Sequence, residues 1–177
     1  FLGAIEHAKK NNSKLHLLGL VGAGGVHSNQ EHLYALIRLA REKQFSNLFI
    51  HVFTDGRDSP PESAGSYINK LEEYMKQEGV GKIASVIGRY WAMDRDFRWE
   101  RTEKAYRALT QGDGLKAVSA AQAVENSYKA EKTDEFIEPT LICASSGNPI
   151  ATIGDNDAAI FINFRTHADQ TNFSMLI

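Results

Sequence analysis

The chain has 177 residues, 42% of them hydrophobic and 24% charged, with a net charge of −2. That length fits one domain, residues 1–177, with material for a real core. The charge balance supplies no basic face for nucleic acid or an anionic membrane. The single cysteine, Cys143, cannot close an internal disulfide, which suits a reducing, cytoplasmic compartment. No apolar run reaches the ~20 residues of a membrane span, and no signal peptide is expected.

Phe1, Leu2, Ile5 and Ala8 alternate with Glu6, Lys9 and Lys10, which predicts a helix over residues 1–11, stopped at Asn11-Asn12. With the apolar run Phe173 to Ile177 at the other end, this start suggests a piece of a longer chain. Leu15 to Val21 is a near-continuous apolar run, as in a strand buried on both faces. Gly22-Ala23-Gly24-Gly25 turns the chain, and Leu33, Leu36, Ile37 and Ala40 stripe a helix over 29–43. The second strand, 48–53, ends in the polar loop Thr54 to Pro61. Ser59 followed by two prolines starts the next helix, which stops at Gly79. A third strand, 83–87, runs into Gly88-Arg89. Helices near 97–110 and 119–128 follow, with strands at 140–144 and 159–164. Residues 111–116 and 145–148 read as surface loops, and Tyr90, Trp91, Phe97 and Trp99 as aromatics that finish a core. The rhythm is that of an α/β fold: a mostly parallel sheet with helices on both faces, a three-layer sandwich.

Four polar clusters fall directly after strands: Gly24-Gly25-Val26-His27-Ser28, Asp55-Gly56-Arg57-Asp58, Gly88-Arg89 and Asn163-Phe164-Arg165. Open α/β sheets bind ligands beyond the carboxyl ends of their strands, so these segments should converge on one rim. Arginine offers a planar fork of donors that fits phosphate and carboxylate. Arg57, Arg89 and Arg165 each follow a strand, and Arg95 comes one turn later. Any one of them alone reads as solvated surface, and Arg95 could pair with Asp94 or Asp96. Gly24-Gly25 lets backbone N–H groups approach an anion, or simply turns the chain. His27 could contact an anion as a cation, shuttle protons, or be a satisfied loop histidine. Asp58 is the carboxylate suited to acid–base work; its cationic neighbour Arg57 keeps it ionised, and the competing role is a helix N-cap. There is no metal-ligand spacing, P-loop or G-x-S-x-G.

On these residues the chain resembles a known family. Gly24 to Ser28, Glu31-His32-Leu33-Tyr34-Ala35-Leu36, Asp55 to Pro61, Gly88-Arg89-Tyr90-Trp91-Ala92-Met93-Asp94-Arg95-Asp96, Thr133-Asp134-Glu135-Phe136 and Phe161 to Arg165 look like the inserted substrate-binding domain of the cofactor-independent phosphoglycerate mutases. The likeness covers nearly the whole chain up to Arg165. It implies an isomerase of glycolysis and gluconeogenesis that interconverts 3-phosphoglycerate and 2-phosphoglycerate. It also implies a missing companion domain that resembles alkaline phosphatase and carries two Mn2+ ions and a transiently phosphorylated serine. No cofactor is expected in this chain. By the same likeness His27, Arg57, Asp58, Arg89, Arg95 and Arg165 match substrate-binding positions, and Asp58 handles the proton of the attacking hydroxyl. The expected partners are 2- or 3-phosphoglycerate and the companion domain; neither nucleic acid nor membrane is expected.

Three departures stand against the family pattern. Gly22-Ala23 replaces Ser-Asp before the glycine pair. Thr166-His167-Ala168-Asp169-Gln170 replaces a small residue and Asp-Arg-Ala-Arg after Arg165, so Ala168 takes the place of a second phosphate-contacting arginine. The tail beyond does not match. One lost charged contact costs about 1.5–3 kcal/mol. An isolated substrate domain is expected to be inactive alone. A non-catalytic binding module for a phosphorylated carboxylic acid, or a structural remnant, are the alternative readings.

Overall fold

The structure, a computed structural model, describes residues 1–165; the departures from Thr166 to Gln170 and the apolar run after them lie outside the described residues. The elements, in chain order, are α1 (Leu2–Lys10), β1 (Leu15–Leu20), α2 (Gln30–Glu42), β2 (Leu48–Thr54), α3 (Ala64–Glu78), β3 (Lys82–Gly88), α4 (Arg89–Ala92), α5 (Trp99–Gln111), β4 (Leu115–Ala117), α6 (Ala120–Lys129), β5 (Thr140–Ile142) and β6 (Ala158–Phe161). The sheet order is β4-β5-β3-β2-β1-β6. β1 pairs in parallel with β2 and β6, and β2 with β3. β5 runs antiparallel to β3, with β4 parallel to β5.

The α/β reading of the sequence holds, with corrections at its far edge and its connections. β4 lies in what the sequence suggested was a surface loop. Leu115 and Lys116 are exposed, so the strand has no apolar signal of its own and exists through pairing with β5. The short helix α4 was also missed, and the strands predicted over 140–144 and 159–164 end earlier. α3 starts at Ala64 rather than near Ser59, because residues 55–59 are taken up by a loop around the Asp55 side chain. Phe97 (73% exposed) and Trp99 (52%) finish no core. Residues 94–98 instead fold round the buried Asp94 carboxylate, whose Oδ2 accepts from Asp96 N (3.2 Å) and Arg98 N (2.9 Å).

Burial follows the strand pleat. Leu15, Leu17, Ile50, Val52 and Val86 face α1, α2, α3 and α6 in one core. Leu18, Leu20, Phe53 and Ile87 point the other way, towards Ala92, Met93, Ala105 and Leu109 of the α4–α5 side. Phe53, Leu18 and Ile87 are fully buried, and each such side chain contributes about 1.5–3 kcal/mol.

This second face also carries a polar chain across four strands or their approaches. Asp157 Oδ2 lies 3.2 Å from His16 Nε2, His16 Nδ1 lies 2.9 Å from His51 Nε2, and His51 Nδ1 lies 2.8 Å from Ser85 Oγ. His16, His51 and Ser85 are wholly buried. A carboxylate only accepts, so His16 must donate from Nε2. Burial keeps both rings neutral; His16 Nδ1 then accepts from His51 Nε2–H, and His51 Nδ1 accepts the Ser85 hydroxyl proton. Burial pushes His16 down to about 4, against the opposing pull of Asp157, and pushes His51 well below its ordinary value. For Asp157 burial acts upwards, but donors from Lys14, Gly154 and His16 outweigh it and hold the carboxyl at about 2.

Among the described residues no helix is long and apolar enough to cross a membrane.

Candidate functional site

The sheet order places a topological switch beside β1: the chain proceeds from β1 to β2 to β3 on one side, and β6 joins on the other. A crevice opens where successive connections leave in opposite directions. The segment carrying His27 leaves β1 there and the segment carrying Arg165 leaves β6. Phe164 N donates to the His27 carbonyl (2.8 Å), which ties the two together. The loops after β2 and β3 complete the rim.

At its centre Arg89, the first residue of α4, is 6% exposed. Its Nη1 donates to Asp55 Oδ1 and to Asp58 Oδ2, both at 2.6 Å, and its Nη2 to His27 Nε2 at 3.1 Å. Because an arginine only donates, His27 Nε2 must be a lone pair and the ring proton sits on Nδ1. That Nδ1 is buried with no hydrogen-bond partner. Burial, then the charge of Arg89, push His27 below its ordinary value, so at neutral pH it is a neutral donor and not the cation considered from the sequence. The hydrogen bond from Arg89 holds Asp58 below the usual carboxylate range. Asp58 faces Arg89 and lies 3.6 Å from His27; it caps no helix.

Arg57 projects outward, its side chain 53% exposed, with Glu135 at 3.6 Å. It shares a cavity of about 260 Å³ with Arg89, Arg95, Arg101 and Glu135. Arg95 is exposed on that wall. The nearby Asp94 and Asp96 carboxylates are 3.3 and 4.0 Å from Arg101. Arg165 is exposed at the end of the β6 segment and close enough to act on His27 electrostatically. The six residues singled out from the sequence thus border one rim, with Arg89 buried in its floor.

Two features of the rim were missed. Asp55, buried at the end of β2, organises the loop: its Oδ1 accepts from Arg57 N (3.2 Å) and Asp58 N (3.1 Å) as well as from Arg89. The second is the 3-10 turn Asp134–Phe136, wedged between the ends of β2 and β3. Asp134 Oδ2 accepts from Ser63 N (2.9 Å) and Ala64 N (2.8 Å), so it caps α3 from 70 residues away. Thr54 Oγ1 donates to the Asp134 carbonyl (2.7 Å). The sequence marked Thr133 to Phe136 as patterned, but only the fold says what it braces.

The turn sits so close that two glycines are required. Gly56 has φ +68°, and a Cβ there would stand 2.8 Å from Glu135 N. At Gly88 a Cβ would stand 2.4 Å from the Glu135 carbonyl oxygen and 2.6 Å from Ile137 N. Both obstacles are backbone, so Gly88→Ala is expected to destabilise the chain by about 3 kcal/mol. Urea unfolding at an unchanged slope would measure it; a loss below about 0.5 kcal/mol would mean the turn moves freely.

Among the described residues no group of three or more histidines, cysteines or carboxylates is placed to hold a metal ion. The arrangement offers guanidinium donors around a small cavity, with the ionised Asp58 carboxylate and the buried His27 ring held beside it by Arg89. That is chemistry for a compact anion with a hydroxyl to be deprotonated.

Residues 1–172 match the family described as BPG-independent PGAM N-terminus. The chain is 57% identical over 162 residues to a 2,3-bisphosphoglycerate-independent phosphoglycerate mutase of Clostridium kluyveri, a match spanning 92% of this chain and 32% of that protein. It is 52% identical over 165 residues to the protein of that name from Acetivibrio thermocellus, spanning 93% and 32%. It superposes on a crystal structure of Leishmania mexicana phosphoglycerate mutase, obtained at low cobalt concentration, with a TM-score of 0.89 and 31% identity, over 96% of this chain and 32% of that one. The chain therefore spans about a third of the length of the relatives it matches. Matched along nearly its whole length by the family's N-terminal pattern and sharing the fold of one of its solved structures, the chain belongs to the BPG-independent phosphoglycerate mutase family.

Proposed function

We propose that this chain is the substrate-holding part of a cytoplasmic phosphoglycerate mutase that interconverts 3-phosphoglycerate and 2-phosphoglycerate. The observation that carries the reading is the convergence of His27, Arg57, Asp58 and Arg89, with Arg95 and Arg165 beside them, at the carboxyl ends of β1, β2, β3 and β6. The arginine forks hold the carboxylate and phosphate ends of the substrate. His27, whose Nδ1–H is buried and unpartnered, donates to the substrate only once that hydrogen is uncovered. Asp58, kept ionised by Arg89, accepts the proton of the glycerate hydroxyl as it attacks phosphorus. The phosphoryl group would come from a phosphorylated serine of a companion domain, whose O–P bond breaks as the glycerate oxygen bonds to phosphorus, and two Mn2+ ions there would offset the charge on the leaving serine oxygen. Positioning and charge stabilisation are what phosphoryl transfer asks of a protein, and this chain contributes the first.

Calorimetric titration with 3-phosphoglycerate tests the reading. Saturable heat is expected from the chain, and Arg57→Ala is expected to weaken binding at least about tenfold, the consequence of one charged hydrogen bond. Equal binding by Arg57→Ala, or no heat at millimolar ligand, would remove the substrate assignment.

A further inference from the structure

Asp55 is conspicuous because the proposed reaction does not use it, yet the Arg57–Asp58 loop and Arg89 both bond to it. It is nearly as buried as Arg89. One oxygen, Oδ1, gathers the Arg57 and Asp58 backbone N–H groups and the Arg89 Nη1. That same Nη1 is also the donor to Asp58. A single nitrogen of Arg89, with two hydrogens, is thus divided between two carboxylates, each at 2.6 Å. Gly24 permits this closeness from above: a Cβ there would stand 3.0 Å from the Asp58 carbonyl and 3.6 Å from Asp55 Oδ2.

We propose that Asp55 is a positioning residue for Asp58: it pins the loop that carries Asp58 and takes half of the Arg89 donor pair, so that Asp58 stays free enough to accept a proton. Were Asp55 absent, Arg89 would close on Asp58 alone as a simple ion pair, and a carboxylate held in such a pair is a poorer base. The groups that act on Asp58 are Arg89 from α4, His27 from the loop after β1, and Arg57 on its own loop. Asp55 is the negative charge that shares Arg89 with it. That the tuned carboxylate handles the substrate's proton rests on the function proposed above; the positioning itself does not.

The experiment follows the Asp58 side-chain carboxyl by 13C NMR through an acid titration of the whole chain. Asp55→Asn keeps an oxygen for the loop amides but removes the competing charge. The Asp58 midpoint is then expected to fall by about 0.5 pH unit or more. Glu135→Gln removes a negative charge near Arg57 without touching Arg89 and is expected to leave the midpoint in place. If Asp55→Asn leaves the Asp58 midpoint unmoved or raises it, or if Glu135→Gln lowers it equally, the proposal fails. Should Asp55→Asn fold poorly, the Arg89 guanidinium NMR lines give a second test on Asp55→Glu, whose longer side chain displaces Oδ1: faster rotation of the guanidinium supports the pinning and unchanged rotation overturns it. No ligand is needed, so a shift seen in a chain that binds no 3-phosphoglycerate upholds the positioning and sinks the substrate reading alone.

Discussion

At pH 5 the chain is expected to be about 4 kcal/mol less stable than at pH 7.5, and the cause lies in the buried histidines, remote from the rim. Above pH 6.5 His16 and His51 are neutral in both the folded and the unfolded chain and contribute no pH dependence. Below it the unfolded chain takes up their protons while the folded chain does not, because burial holds His16 down to about 4 and His51 well below its ordinary value. The unfolded state therefore binds more protons, and stability falls with pH by about 1.4 kcal/mol per unit for each ring. At pH 5 each ring has lost about 2 kcal/mol. His27, pushed down by its own burial, adds in the same direction. Below about pH 4 a proton on His16 Nδ1 would meet the Nε2–H of His51, and the chain of donors breaks. Urea midpoints at the two pH values measure the effect. The variant His16→Leu/His51→Leu/Ser85→Ala replaces the polar chain by apolar groups and is expected to lose most of the dependence. A wild-type chain equally stable at both pH values would show that the rings are not held neutral.

Arg89→Ala is expected to cost about 3 kcal/mol, the lower end for breaking one side of a buried ion pair. The loss is large because the substitution strands Asp55, which retains the two loop amides but no counter-charge, and because His27 loses the donor that fixes its tautomer. Arg89→Lys keeps the charge but not the fork. One ammonium on a flexible stem does not span Asp55, Asp58 and His27 together, so its stability is expected between the two. Urea unfolding ranks the three proteins. An alanine variant as stable as the parent would mean that water already satisfies both carboxylates.

Much of the fold was legible in the chain itself. Leu15 to Val21 and Leu48 to Phe53 are apolar enough to be recognised as strands buried on both faces, and the stripe through Leu33 and Ile37 is unmistakably a helix face. The edge was not legible: β4 has an exposed Leu-Lys start and is a strand only because β5 lies beside it. The aromatics around Phe97 misled for a related reason. Composition says that Phe and Trp bury, but the loop's path is set by the Asp94 carboxylate gathering two amides, and that bonding turns Phe97 and Trp99 to solvent.

For the rim, the sequence by itself determined which segments follow strands, and hence that His27, Arg57, Asp58, Arg89 and Arg165 would share one end of the sheet. Periodicity and turn chemistry act locally, so they carry that much. Only the tertiary structure decided the roles within the group: that Arg89 is buried, that it makes His27 a neutral Nδ1–H donor, and that Asp55 divides it with Asp58. It also decided that Asp134 caps a helix 70 residues earlier in the chain, and that two histidines inside strands are links in a polar chain. Each depends on a donor meeting an acceptor far away in sequence, within about 3 Å, and such meetings are specified by packing and not by any stretch of residues read alone.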